Sequence, residues 1–127
     1  MRALLDTSFF VDTESGRPLG EKGGVTETEV SVVTLAELTV GVLVADDEER
    51  SGRVATRSAV ESAWDPLAVD AEVARRFSRI VDALRADDRR VPLLDPLVAA
   101  TAIVEQIPVV TRDGDYEAIP RVEVIRV

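Results

Sequence analysis

The chain has 127 residues, a length that fits one domain of roughly 100 to 150 residues; apolar residues are 46% and charged residues 31%, which excludes a wholly disordered chain. With no Cys and no His there are no disulfides, thiolate nucleophiles, imidazole bases or N/S zinc sites, so chemistry must come from carboxylates, hydroxyls or a bound ion. The formal net charge of −9 argues against nonspecific polyanion binding by the whole surface, although the stretch from Arg50 to Arg90 holds an arginine-rich segment suited to phosphates. No signal-peptide pattern or apolar run of membrane-spanning length is present, and a soluble, cytoplasmic protein without a membrane partner is expected.

The first element is a short apolar run, Arg2-Ala3-Leu4-Leu5, closed by Asp6, which predicts a buried strand with an acid at its carboxyl end. A short helix near Ser8 to Val11 follows, then a surface loop from Asp12 to Gly24 punctuated by Gly16, Pro18, Gly20, Gly23 and Gly24. Val30 to Val33 is a second strand candidate. Thr34 and Glu37 have capping-box spacing, which predicts a helix over about 35–45. Asp46 to Ala63 is polar, Arg-rich and weakly helical, and Trp64-Asp65-Pro66 returns the chain to extended backbone.

Asp70 looks like an N-cap for a helix whose apolar face carries Val73, Phe77, Ile80, Val81 and Leu84, with Arg75, Arg76, Arg79 and Arg85 on much of the remainder. Val91 to Leu94 is a short strand candidate, and Asp95-Pro96 reads as an N-cap and first position of a small-residue helix. Pro108 to Thr111 predicts a strand, Asp113-Gly114 a turn, and Val122 to Ile125 a last strand. Short apolar strands alternating with helices predict a three-layer α/β/α domain around a central, mainly parallel β-sheet, spanning residues 1–127 as a single domain.

Sites in open parallel sheets form outside the carboxyl ends of the strands, and there the chain places Asp6, Glu37, Asp95, Asp113 and Asp115. Each also has an ordinary structural explanation, as capping partner, N-cap or turn residue; their convergence on one edge favours function. Crowded carboxylates either take up protons or bind a cation. A hard divalent ion, Mg²⁺ or similarly Mn²⁺, fits an all-oxygen donor set and can activate water for phosphodiester hydrolysis without histidine.

Four ordered segments carry a resemblance: Leu4-Leu5-Asp6-Thr7-Ser8, Ser31-Val32-Val33-Thr34-Leu35-Ala36-Glu37-Leu38, Asp95-Pro96-Leu97-Val98-Ala99-Ala100-Thr101-Ala102, and Val110-Thr111-Arg112-Asp113-Gly114-Asp115-Tyr116. Together they resemble a PIN-domain ribonuclease of the VapC toxin type. The resemblance implies a PIN fold and a Mg²⁺-dependent endoribonuclease, the toxin component of a type II toxin–antitoxin system, which cleaves cellular RNA and is restrained by a VapB-type antitoxin. It also implies a homodimer, and a heterotetramer or larger assembly with the antitoxin. By the same carry-over Asp6, Asp95 and Asp113 are metal ligands, Glu37 orients water or completes the metal shell, and Asp115 is a fifth acid. Leu94 and Tyr116 depart from the commoner residues of the family without removing an acid. The alternatives are a noncatalytic PIN-like protein-binding module and an aspartyl-phosphate phosphatase or receiver domain. The latter pair requires a late-strand Lys, whereas the only Lys is Lys22.

Overall fold

The computed structural model describes residues 1–12 and 24–127; the expected loop from Asp12 to Gly24 therefore lies largely outside the described residues, as does Lys22. Strands β1 (Arg2–Leu5), β2 (Glu27–Glu29), β3 (Val109–Thr111) and β4 (Val124–Arg126) form a sheet in the order β2-β1-β3-β4. Every pairing is parallel, with Ala3 opposite Thr28, Leu4 opposite Val109, and Val110 opposite Ile125. Helices α1 (Thr7–Asp12), α2 (Val32–Val44), α3 (Asp47–Ala63), α4 (Ala71–Ala86) and α5 (Leu94–Glu105) connect and cover it.

The two-residue period of a strand divides the interior into two cores. Leu4 and Val109 face a core shared with Val73, Ile80 and Leu84 of α4 and Val98, Ala99 and Ala102 of α5. Ala3, Leu5 and Val110 face the opposite core with Phe9 and Phe10 of α1, Leu38 of α2 and Val60 of α3. A layer of helices on each face of a parallel sheet is the expected three-layer arrangement, and with four strands the sheet is entirely parallel. In the second core Phe10 meets Phe9 edge-on at 5.3 Å and Trp64 at 5.4 Å, and the Trp64 indole N–H donates to the Thr28 carbonyl at 3.0 Å. This arrangement ties the end of α3 to β2.

Several local expectations are corrected. Val30 to Val33 is not a strand: β2 lies upstream at Glu27–Glu29, Ser31 makes only an isolated bridge to Leu67, and helix α2 begins at Val32. Its N-cap is Ser31, whose hydroxyl accepts from the Val33 N–H at 3.0 Å, and not Thr34. The polar segment after Asp46 forms a full helix, α3, capped by Asp46 through the Glu49 N–H at 2.9 Å. Asp70 caps α4 as predicted, accepting from Val73 N–H at 2.9 Å.

Val91 to Leu94 is also not a strand. The Asp95 N–H closes a turn onto the Pro92 carbonyl at 3.1 Å, and α5 starts at Leu94, one residue ahead of Asp95. Pro96 still lies within the first turn, where its missing N–H costs no helical hydrogen bond. Asp95 therefore makes no cap hydrogen bond. No helix among the described residues is long and apolar enough to cross a membrane.

Candidate functional site

Adjacent parallel strands end on the same side of a sheet, so β1 and β3 deliver Asp6 and Thr111 together. The Asp6 carboxylate is almost fully buried and held at both oxygens. Oδ1 accepts from the Tyr116 hydroxyl at 2.8 Å; Oδ2 accepts from the Thr111 hydroxyl at 3.0 Å and the Ser8 N–H at 3.3 Å. The Thr111 proton is committed to Asp6, so the Ser8 hydroxyl, 3.2 Å away, donates to Thr111 Oγ1 and itself accepts from the Arg112 N–H at 3.0 Å. Thr111 Oγ1 also accepts from the Asp113 N–H at 2.9 Å. A directed chain of donors thus runs into Asp6 and fixes the orientation of its carboxylate.

The remaining acids come from other elements. Asp113, which follows β3, caps a short 3-10 helix over Gly114–Ala118 by accepting from the Asp115 N–H at 2.9 Å. Asp95 is brought in by the first turn of α5. Carboxylate oxygens of Asp95, Asp113 and Asp115 lie within 4.8 Å of one another, in order buried, half-buried and exposed. Glu37 lies on α2, where its Oε1 accepts from the Thr7 hydroxyl at 2.7 Å. Its neighbour Thr34 is buried, with its hydroxyl 3.2 Å from that of Thr7. Glu37 and Asp95 thus reach the site from helices rather than from strand ends.

Electrostatics link four of the acids, Asp6, Glu37, Asp95 and Asp113. Burial, then the charges of Asp113 and Asp6, push the Asp95 carboxyl up from 3.8 to about 7. Glu37 contributes in the same direction. Glu37 itself is raised, chiefly by burial; the Thr7 hydrogen bond opposes this and the Asp6 charge adds to it. The Tyr116 hydroxyl is raised far above its ordinary value by burial and by the adjacent Asp6, so it remains a donor.

One atom decides what this arrangement suits. Asp95 Oδ2 is buried and has no hydrogen-bond partner among the described residues. A buried acceptor without a donor is costly, and the neighbouring carboxylates of Asp113, Asp6 and Glu37 add negative charge to it and supply no donor. A hard cation lodged among these carboxylates would satisfy both the orphaned oxygen and the mutual repulsion. The donor set is all oxygen, which suits Mg²⁺ or Mn²⁺ and not a thiolate-loving metal.

Sequence reasoning singled out Asp6, Glu37, Asp95, Asp113 and Asp115; the structure links the first four through their charges and places Asp115 beside Asp95 and Asp113. It missed what Thr7, Ser8, Thr111 and above all Tyr116 do. The contact between Asp6 and Tyr116 spans 110 residues of sequence, and no local pattern signals it.

The chain is similar to known proteins over nearly its whole length. The family model described as PIN domain matches residues 3–122. Ribonuclease VapC4 of Mycobacterium tuberculosis is 40% identical over 126 residues, covering 99% of this chain and 97% of the relative. Ribonuclease VapC5 of the same organism is 42% identical over 128 residues, covering 98% and 94%. Among solved structures, VapBC-5 from Mycobacterium tuberculosis, a member of the VapBC family of toxin–antitoxin systems, superposes with a TM-score of 0.83 at 35% identity. That match covers 99% of this chain and 98% of the solved one.

Proposed function

Because this chain belongs to the PIN-domain family and, within it, to the VapC proteins, we propose that it is a metal-dependent endoribonuclease, the toxin of a toxin–antitoxin pair. The observation that carries the chemistry is the buried, unpartnered Asp95 Oδ2 inside the carboxylate group. In this reading Asp6, Asp95 and Asp113 hold Mg²⁺, with Mn²⁺ as a substitute, and Asp115 completes the acidic rim. A bound ion supplies a more acidic water and neutralises charge on the phosphoryl oxygens.

The protein's own groups account for the rest of the chemistry. Hydrogen bonds to both oxygens fix Asp6 in one orientation, so its charge is in place before substrate arrives. Glu37, with one oxygen engaged by Thr7, keeps acceptor capacity to orient a water for attack on phosphorus. Its raised pKa brings its basicity nearer to that required of a general base at neutral pH. Exposed Asp115 leaves the rim open to a strand passing over it.

The relatives named as ribonucleases and the VapBC-5 structure support an RNA substrate and a VapB-type antitoxin as partner, acting in the cytoplasm where RNA is plentiful. A homodimer that assembles with the antitoxin into a heterotetramer or larger complex accompanies this reading. The test is cleavage of total cellular RNA by the purified chain with Mg²⁺ or Mn²⁺, against EDTA and Asp6→Asn controls. Discrete fragments that vanish in both controls are expected. No cleavage in any condition, with calorimetry detecting no ion binding, would overturn the reading in favour of a noncatalytic protein-binding module.

A further inference from the structure

A cavity of about 210 Å³ lies away from the acids, between the middle of α4, the C-terminal half of α5 and the segment entering β4. Arg76, Arg79 and Arg121 line it over a floor that includes Ile80, Ile103 and Pro120. Arg76 and Arg79 share a helix face at a spacing of three residues, while Arg121 arrives from 42 residues further along the chain. None of the three makes an ion pair with a described residue; Arg75, Arg85, Arg89 and Arg90 also make none, and what sets Arg76, Arg79 and Arg121 apart is that they line one cavity together. Arg121 also adopts φ 68, a left-handed conformation that costs a non-glycine residue about 1 kcal/mol. Three uncompensated guanidinium groups gathered at one cavity, in a protein of net charge −9, call for an anion from outside.

We propose that this cavity is a phosphate-binding exosite that holds the backbone of the RNA strand whose scissile bond lies at the carboxylates. The proposal rests on the ribonuclease reading and adds to it a second point of attachment. Guanidinium forks match phosphate oxygens bidentately, and the apolar floor can accept a ribose or base edge. The cavity is linked to the acids by two rigid routes. Asp95 and Ile103 are eight residues apart on α5, about 12 Å at 1.5 Å per residue. Asp113 and Asp115 open the segment that Pro120 and Arg121 close. A strand of a few nucleotides spans that distance, which explains how an acidic enzyme retains a polyanionic substrate.

The experiment compares wild type with the triple variant Arg76→Gln, Arg79→Gln, Arg121→Gln, its fold checked by circular dichroism and thermal melting. If the triple variant fails to fold, Arg121→Gln alone is used. Binding of a fluorescein-labelled long oligouridylate is followed by polarisation in EDTA across a salt series, and cleavage is measured with Mg²⁺ on both the long strand and one of a few nucleotides. The expected result is a loss of affinity of roughly tenfold or more and a salt slope shallower by about 2, from three phosphate contacts at about 0.7 each; for Arg121→Gln alone the slope change is about 0.7. Cleavage of the short strand should be unchanged and that of the long strand reduced.

Inorganic phosphate and tripolyphosphate competitors separate a strand site from one for small anions. Competition only by the long strand supports the exosite; displacement by free phosphate near its own binding concentration overturns it in favour of a small-ligand site. Unchanged affinity and slope in a folded variant, or a shift in oligomeric state in place of any RNA effect, also overturns it. Wild-type cleavage of the short strand tests the ribonuclease reading separately, so the two failures are distinguishable.

Discussion

Replacing Asp95 by Asn should make the metal-free protein more stable while abolishing its metal-dependent activity. In the folded chain the Asp95 carboxyl is pushed from 3.8 to about 7, so the folded state binds its proton more tightly than the unfolded state does. The stability this proton confers is complete below about pH 4 and is lost as pH rises through about 7. At 1.36 kcal/mol per pKa unit, a shift of about three units sets a ceiling of about 4 kcal/mol. The neighbouring Asp113 is half-buried and Asp115 exposed, so solvent screens the repulsion and about 1–2 kcal/mol is the realistic figure.

Asn is neutral at every pH, and Asp95 makes no cap hydrogen bond that the change would remove. Urea unfolding in EDTA should therefore show no difference near pH 4, a gap opening between about pH 4 and pH 7, and the variant more stable by about 1–2 kcal/mol at pH 8. Saturating Mg²⁺ should stabilise the wild type by about 3 kcal/mol at 100 times its Kd and the variant far less, which closes or inverts the gap. A variant less stable than wild type at pH 8 in EDTA, or a gap independent of pH, would refute the assignment of strain to this carboxylate.

Tyr116→Phe should cost about 1–3 kcal/mol in urea unfolding, because it strips a buried donor from Asp6 Oδ1, and should weaken ion binding measured by calorimetry; an unchanged midpoint would sink the bracing role. Glu37→Gln should lower kcat on RNA by roughly a hundredfold or more while calorimetry detects an ion affinity near that of wild type. A loss of affinity as large as that of Asp95→Asn would make Glu37 a ligand instead. Ser31→Ala should cost about 1 kcal/mol in urea unfolding through the lost cap of α2, and an unchanged midpoint would refute the capping assignment.

The legible parts of the chain were those in which one local signal dominates. The apolar run of β1, the Asp70 cap with its helical apolar face, and Val109 to Thr111 are each decided by burial or capping within a few residues. Strand β2 was missed because Glu-Thr-Glu is an edge strand paired only with β1, with no apolar stripe to reveal it. The more apolar Val30 to Val33 instead spans a turn and the start of α2, where tertiary contacts override β-propensity. Asp95 was recognised as a helix-start residue, but α5 begins one residue earlier, and that shift frees its carboxylate for the site.

Composition alone excluded imidazole and thiolate chemistry, leaving carboxylates, hydroxyls or a bound ion, and motif order pointed to the five acids. Only the tertiary structure decided how they differ. Asp6 is braced by donors from β3 and the 3-10 helix, whereas Asp95 is left with a buried oxygen that no donor among the described residues meets. The same folding gathers Arg76, Arg79 and Arg121 at one cavity. Residue type sets what a side chain can donate, accept or ionise, but the free energy of each carboxylate depends on burial and on neighbours up to 110 residues away in sequence. Those distances are set when β1 pairs with β3 and the helices close over both faces.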